Sequence, residues 1–195
     1  MSEATSCPMR DLKGYLHPED VRKVIAKARN SRDELIMRTL WALGCRLNEL
    51  LLITWEDISW KDKAIVMWTL KRKMSRRTQR IVSVDSRTMQ LIRTYCDKRH
   101  VRKGLLFDVT DRRVEQIVYE AGVAARIPRV GTKKLHPHHF RHSHSVAWIR
   151  KNPTMEGLRK LQQRLGHASI ATTAHYLQFA TEESTAAVEG TFGEW

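Results

Sequence analysis

The chain of 195 residues carries 35 lysines and arginines against 21 aspartates and glutamates, which give a formal net charge of +14 and a pI near 10.1. This excess predicts a polyanionic partner, and nucleic acid fits it better than a membrane surface. The sequence has no apolar run of about 18 residues and no signal-peptide core, which predicts a cytoplasmic protein without a membrane partner. Its three cysteines are scattered and odd in number, so they fit neither a disulfide framework nor a zinc ribbon.

The N-terminal part of the chain begins without a pattern and continues with helices. Residues 1–15 show no periodic apolar pattern and are predicted to be a linker or a flexible start. A helix is predicted from His17 to about Arg29, because proline and acids occupy its first turn. Ser31 is predicted to cap the second helix, whose apolar residues recur at helical spacing until Gly44 interrupts them.

The helical pattern resumes after this glycine, over residues 46–51. Arg46 and Glu49 lie three positions apart in this segment, so they share a helix face. On local grounds, an ion pair within the helix explains the two residues as well as a functional role does.

Two strands with a basic connection are predicted next. Residues 64–70 (AIVMWTL) and 80–84 (RIVSV) have the composition of paired strands. Residues 71–79 between them, KRKMSRRTQ, contain five basic side chains and are predicted to form the hairpin tip. Such a tip is either a solvated loop or a patch that contacts phosphates, and the basic excess of the chain favours the phosphate patch.

Two further helices are predicted before a histidine-rich segment. Ser86 is predicted to cap the first, which runs to about His100, and a short extended piece follows at residues 104–107. The second runs from about Asp111 to Arg126 and ends ahead of a proline. A second basic cluster follows, made of Arg126, Arg129, Lys133 and Lys134.

Four polar residues of the segment Leu135–Tyr176 form the candidate site. His138 and Arg141 are three apart, so on a helix they can point at the same object. His167 and Tyr176 are nine apart, and one unbroken helix would turn through roughly 900° between them and leave them on opposite faces about 13 Å apart.

The sequence supplies a break between His167 and Tyr176. Gly166 suits the C-terminal end of a helix, and Ser169 can cap the next one. A chain that bends here could bring two imidazoles, a guanidinium and a phenol into one pocket. Cations for phosphate oxygens and a tyrosine as nucleophile suit a phosphodiester.

The same segment allows a metal-binding interpretation, because five of the nine histidines lie between residues 136 and 144. His138 and His142 are four apart, as in a zinc pair on a helix. The segment lacks the glutamate of H-E-x-x-H, and no cysteine lies nearby as a third ligand, so we expect no metal site. Packing or supporting roles are expected for His136, His139, His142, His144 and His175, and a core position for Trp148.

Three motifs follow one another along the chain. Gly44–Leu50 reads G-x-R-x-x-E-L, His138–Ser143 reads H-x-F-R-H-S, and Leu165–His167 leads to Thr172–Tyr176 as L-G-H…T-T-x-x-Y. Over about residues 15–188 the chain thereby resembles the catalytic domain of the tyrosine recombinases, the phage integrase family, in which leucine is usual at the phenylalanine of the second motif.

The resemblance implies an α+β fold, mostly α, with a small antiparallel β-sheet. It places the catalytic domain at residues 16–189, between the flexible start and a tail at residues 190–195. Family members usually carry a further N-terminal DNA-binding domain, for which residues 1–15 are too few, so we expect a fragment or an unusually small recombinase. Residues 181–188 could form the short terminal helix that family members pass to a neighbouring protomer.

The family mechanism implies a role for each matching residue. The implied catalytic residues are Arg46, Lys71, His138, Arg141, His167 and Tyr176, with Glu49 orienting its basic neighbours. The tyrosine would attack the scissile phosphate and form a 3′-phosphotyrosyl link, while the arginines clamp the non-bridging oxygens and the histidines add hydrogen bonds. The lysine would protonate the 5′-oxygen, and Lys73 is the rival of Lys71, because strand parity puts both on the same side. The mechanism requires no metal and no other cofactor.

The implied partners are double-stranded DNA and other recombinase protomers, in a tetramer on DNA, with the free protein mainly monomeric. The residues expected to contact DNA are Lys71, Arg72, Lys73, Arg76, Arg77, Arg80, Lys133 and Lys134. The implied activity is site-specific DNA recombination. The alternatives are a type IB topoisomerase-like relaxing enzyme and a basic DNA-binding module without catalysis.

Overall fold

The computed structural model describes residues 14–71 and 76–179. Helices dominate these residues and two small antiparallel sheets accompany them, which confirms the α+β, mostly α fold class. Every helix in the described ranges is too short or too polar to cross a lipid bilayer. The chain divides into two compact units, one up to His144 and one from Ser145.

The first unit is built mainly from helices. They are α1 (Pro18–Ile25), α2 (Ser31–Leu43), α3 (Leu47–Leu51), α4 (Ser86–Arg99), α5 (Asp111–Ala124) and the first half of α6 (Pro137–Lys151). The predicted caps Ser31 and Ser86 are instead the first residues of α2 and α4. The caps are Asn30 and Asp85, whose side chains accept the backbone N–H three residues further on. Since Asn and Asp cap as well as Ser does, the sequence alone could not choose between the two neighbours.

Both borders of the first helical segment differ from the prediction. Tyr15, predicted to belong to the flexible start, is buried and packs against two histidine rings. The N–H of Leu16 donates to Ser143 Oγ at 2.7 Å, so the folded unit already includes these residues. Helix α1 ends at Ile25 instead of near Arg29, because the chain tightens there into bonds between residues three apart.

The three-stranded sheet consists of β1 (Ile58–Ser59), β2 (Ala64–Lys71) and β3 (Arg76–Ser83), paired antiparallel in the order β1-β2-β3. The predicted hairpin is confirmed, but its tip is shorter, since residues 76–79 continue β3 and Arg76 pairs with Lys71. Backbone pairing does not depend on side-chain charge, so the basic composition did not end the strand. Residues 72–75 lie outside the described part.

A two-stranded hairpin precedes α6 and was not predicted. Its strands are β4 (Arg129–Val130) and β5 (Lys133–Lys134), paired antiparallel. Gly131 turns the chain with a φ of +57°, a conformation that suits glycine. Strands of two residues carry no periodic signal, so the sequence indicated only a basic cluster here.

The core of the first unit joins its helices to one side of β2. Ile65 and Met67 alternate along this strand and are fully buried, as expected for one face of a sheet. Phe140 brings α6 into the same core. Further buried members of this cluster are Ile36, Leu40, Ile92, Phe107 and Val118.

The second unit confirms the predicted break between two helices. Helix α7 (Met155–Leu165) ends at Gly166, whose φ is +66°. Ser169 caps α8 (Ile170–Ala174) by accepting the N–H of Ala171. A short 3₁₀ helix, His175–Phe179, follows at once.

Trp148 is half-buried, so its predicted core position is wrong. Its indole N–H donates to the carbonyl of Gly157 at 3.1 Å, and the Arg164 guanidinium lies 5.4 Å from its ring centre. An indole N–H needs a hydrogen-bond acceptor when it is buried, and the carbonyl of Gly157, a buried residue of α7, supplies it here.

Gly44 gives the first testable prediction. It ends α2 with a φ of +60°, and a Cβ there would overlap the His144 ring, with Cγ only 2.9 Å away. That ring is held because its Nδ1 donates to the carbonyl of Trp41 at 2.7 Å. We expect Gly44→Ala to lower the free energy of unfolding by about 2–4 kcal/mol, measured by urea denaturation.

Gly104→Ala is the matched control. Gly104 has a φ of +71°, but a Cβ there would meet no atom within 4 Å. This variant should lose only about 1 kcal/mol from backbone strain. Equal losses at the two glycines would contradict the steric argument.

Candidate active site

The first motif forms a turn that places Arg46 beside Glu49. Gly44 closes α2, and Arg46 then occupies the N-cap position of α3. The backbone N–H of Arg46 donates to Glu49 Oε2 at 2.9 Å, and its Nη1 donates to Oε1 at 2.9 Å. The ion pair between Arg46 and Glu49, one of the two interpretations of the sequence, is therefore present. The Arg46 side chain is still 44% exposed.

The Glu49 carboxylate also binds groups from the sheet and from α6. Arg80 of β3 donates to both oxygens, at 2.7 and 3.2 Å, and Thr69 of β2 donates its hydroxyl at 2.7 Å. Arg141 Nη1 lies 3.8 Å away. Burial raises the pKa of Glu49, but the hydrogen bonds and charge of Arg80, with the bonds from Arg46 and Thr69, outweigh burial and lower it to about 2. The carboxylate is therefore ionised at neutral pH.

Arg141 lies inside the first unit, with a side chain 2% exposed. Its Nη1 donates to the carbonyl of Gly44 at 2.8 Å, which ties α6 to the end of α2. Burial, followed by the charge of Arg46, lowers the pKa of Arg141 to about 10. The side chain therefore remains a cation at neutral pH.

His138 precedes Arg141 by one turn of α6, and part of its ring meets solvent. Partial burial, followed by the charge of Arg141, lowers its pKa, which favours the neutral imidazole. Together with Arg46, Glu49 and Thr69, His138 lines an open cleft of about 680 Å³. The first unit thus brings together four of the predicted site residues.

A stability measurement against pH tests the Glu49 assignment. Because the pKa of Glu49 is lowered from 4.5 to about 2 on folding, its stabilisation is complete above pH 4.5 and is lost as the pH falls towards 2. At pH 7 we expect the free energy of unfolding of Glu49→Gln to be about 3 kcal/mol lower than that of the wild type. This difference should shrink below pH 4.5. The measurement is urea unfolding from pH 7 to 3.

Glu19→Gln supplies the control, since Glu19 is exposed on α1. Its free energy of unfolding should stay within about 0.5 kcal/mol of the wild type at each pH. A gap between Glu49→Gln and the wild type that stayed constant down to pH 3 would argue against a depressed pKa.

Arg80 lies elsewhere than the sequence predicted. It was expected to contact DNA, but its side chain is 12% exposed and holds Glu49. Arg80 pairs with Met67 in the sheet, so it lies on the side that faces the core. The side of the sheet that Arg80 occupies follows from the pairing register of β2 and β3, and the basic composition around Arg80 does not indicate it.

The remaining predicted DNA contacts divide between two hairpins. Lys71 ends the described part of β2, and the strand positions of Arg76 and Arg77 lie opposite Lys71 and Leu70. Arg72 and Lys73 lie outside the described residues, so the choice of Lys71 over Lys73 stays a prediction. Lys133 and Lys134 are exposed on the β4–β5 hairpin.

The other histidines of α6 are held by their neighbours. His139 Nδ1 accepts the N–H of His136, and burial, followed by the charge of His136, lowers the pKa of His139 to about 4. The His142 ring packs edge-on against Tyr15, whereas His175 is exposed. In the described ranges, no three His, Cys, Asp or Glu side chains are grouped to hold a metal ion.

The second unit contains the other two predicted catalytic residues. His167 follows Gly166, and its Nδ1 shares a hydrogen bond of 2.9 Å with Thr173 Oγ1 of α8. Tyr176 lies two residues beyond α8, in the 3₁₀ helix. The bend between α7 and α8 thus takes these residues out of a single helix.

Known proteins resemble the chain in sequence and in fold. A model of the phage integrase family matches residues 14–183. The tyrosine recombinase XerA of Pyrococcus horikoshii is 25% identical over 183 residues, covering 92% of this chain and 62% of XerA. The tyrosine recombinase XerD of Bifidobacterium longum is 32% identical over 165 residues, covering 77% of this chain and 51% of XerD.

Two solved structures share the fold. The crystal structure of XerA recombinase matches with a TM-score of 0.71 at 26% identity, over 90% of this chain and 64% of that one. The XerH site-specific recombinase, bound to palindromic difH substrate, matches with a TM-score of 0.72 at 21% identity, over 91% of this chain and 53% of that one. The chain spans about three fifths of the length of XerA. Since the family model covers most of the sequence and includes all three motifs, the chain belongs to the phage integrase family.

Proposed function

We propose that this protein is a site-specific tyrosine recombinase that cuts and rejoins DNA strands through a 3′-phosphotyrosyl intermediate. The observation that carries the proposal is the pair of guanidinium groups, Arg46 and Arg141, held around Glu49, with the Arg46 side chain and His138 lining an open cleft. Two cations and an imidazole form a receptor for a phosphate that gains charge during a displacement.

In the proposed reaction, the Tyr176 oxygen attacks the scissile phosphorus and the bond to the 5′-oxygen breaks. His138, whose lowered pKa favours the neutral ring, accepts the tyrosine proton, and Lys71 gives a proton to the departing 5′-oxygen. Arg46, Arg141 and His167 bind the non-bridging oxygens. The phosphotyrosyl diester replaces the phosphodiester of the DNA backbone, so rejoining needs no nucleoside triphosphate.

The proposed partner is double-stranded DNA. The exposed Lys133 and Lys134 and the β2–β3 hairpin supply basic groups on the same unit as the cleft. Lysine and arginine contacts to phosphates position a duplex without reading its sequence. The XerH structure of the same fold is bound to a difH substrate, which agrees with a DNA partner here.

We further propose that several protomers act together on two DNA sites and that the free protein is mainly monomeric. The catalytic domain proposed for this chain comprises residues 16–189, with the correction that Tyr15 belongs to its folded part. Recombination distinguishes this proposal from the relaxing-enzyme alternative, since relaxation needs no second site.

The test is to trap and identify the covalent intermediate. Protein incubated with fragmented genomic DNA is denatured, the DNA that remains attached is sequenced, and the modified peptide is identified by mass spectrometry. We expect attached fragments that share a sequence, a free 5′-hydroxyl at the break, and a nucleotide linked to Tyr176. Binding without any covalent DNA would overturn the proposal.

A further inference from the structure

We propose that Arg80 is a positioning residue of this active site, which acts through Glu49 on Arg46. The inference rests on the proposed function and goes beyond it, because Arg80 lies outside all three motifs. It was expected to touch DNA, and its placement in the first unit supports a different task.

Arg80 grips Glu49 with two nitrogens. Nη2 donates to Oε2 at 2.7 Å and Nη1 to Oε1 at 3.2 Å, while the same Nη1 donates to Thr69 Oγ1 at 2.8 Å. The Thr69 hydroxyl then donates to Glu49 Oε1, which closes a ring of hydrogen bonds. A planar fork fixes both the position and the rotation of a carboxylate, which a lysine cannot do with a single nitrogen.

This ring determines how Glu49 meets Arg46. The same two oxygens accept the backbone N–H and the Nη1 of Arg46, each at 2.9 Å. Any rotation of the carboxylate therefore moves the start of α3 and the Arg46 guanidinium together. Since misplacement by about 1 Å can cost roughly 100-fold in rate, holding this carboxylate bears on catalysis.

Arg80 also sets the charge available in the cleft. Three guanidinium groups, those of Arg46, Arg80 and Arg141, surround Glu49, so these four groups carry a net charge of +2. Without Arg80 their charge falls to +1, and more of the Glu49 charge is directed at Arg46. The scissile phosphate would then be stabilised by a smaller net positive charge.

Hydrogen bonding and position in the cleft separate the roles of Arg80 and Arg46. The Arg80 side chain is 12% exposed, whereas that of Arg46 is 44% exposed. Both Nη nitrogens of Arg80 donate to Glu49 and Thr69, so Arg80 is placed to orient the carboxylate, whereas Arg46 lines the cleft in which the phosphate would bind. Loss of Arg80 should slow the chemical step much more than it weakens DNA binding.

The experiment compares Arg80→Met and Arg80→Lys with Arg87→Met, a control that removes the same charge from an exposed site on α4. Single-turnover cleavage at saturating DNA and the dissociation constant are measured on a sequence recovered by trapping, and thermal melting confirms folding. We expect Arg80→Met to cleave about 100-fold more slowly with less than about a threefold change in the dissociation constant. Arg80→Lys should recover part of the rate, and Arg87→Met should match the wild type.

A second readout does not depend on activity. The carboxyl of Glu49 is titrated by ¹³C NMR, and its pKa should rise in Arg80→Met, because Arg80 lowers it in the wild type. If Arg80→Met does not fold, Arg80→Lys is measured in both assays, with a smaller loss of rate and a smaller rise. An unchanged Glu49 pKa, or cleavage within threefold of the wild type, would overturn the inference. If the wild type itself forms no adduct, the proposed function fails, and the titration still decides the role of Arg80.

Discussion

Tyr176→Phe is expected to bind DNA with wild-type affinity and to form no covalent adduct. The change removes one oxygen, which is the nucleophile of the proposed reaction, and nothing else in the side chain can attack phosphorus. Tyr176 follows the bend between α7 and α8 that Gly166 and Ser169 predicted. The expected loss exceeds that of any other single change, because the covalent step disappears instead of slowing.

The measurement uses a nicked duplex that traps the adduct, with denaturing electrophoresis for the covalent product and a shift assay for binding. Tyr95→Phe is the control, since Tyr95 is half-buried on α4 against the Phe107 ring. Burial raises the pKa of Tyr95, which disfavours ionisation of its phenol. If Tyr176→Phe formed the covalent adduct and Tyr95→Phe did not, the nucleophile would be Tyr95 of α4.

Lys71→Ala is expected to cleave ordinary DNA more slowly by about two to four orders of magnitude. Lys71 lies at the last described position of β2, and we propose that it protonates the departing 5′-oxygen. A substrate with sulfur at the bridging 5′ position should largely restore the rate, because a thiolate leaves without a proton. A residue that only bound DNA would show no such rescue.

Lys73→Ala is the matched variant, because Lys73 is the rival candidate for the general acid on sequence grounds. We expect it to cleave both substrates at similar, near wild-type rates. Rescue by sulfur of Lys73→Ala instead of Lys71→Ala would reassign the general acid. Rescue of neither variant would mean that the hairpin contributes binding alone.

The sequence by itself determined the features that depend on neighbouring residues. Gly44 and Gly166 end helices in the left-handed conformation, and Ser169 caps α8 as its spacing predicted. The shared face of Arg46 and Glu49 likewise follows from their distance along the chain. Such features are readable because the groups that decide them lie within one or two helical turns.

The tertiary structure decided which residues complete the cluster around Glu49. Arg141 meets the carbonyl of Gly44 across 97 positions, and Arg80 meets Glu49 across 31. In sequence, Arg80 looked like one more cation of a basic hairpin. The pairing register turned it to the core side, where a buried carboxylate binds it more strongly than solvent does. That register cannot be predicted from neighbouring residues, because it depends on how β2 and β3 pack against a core that the whole first unit forms.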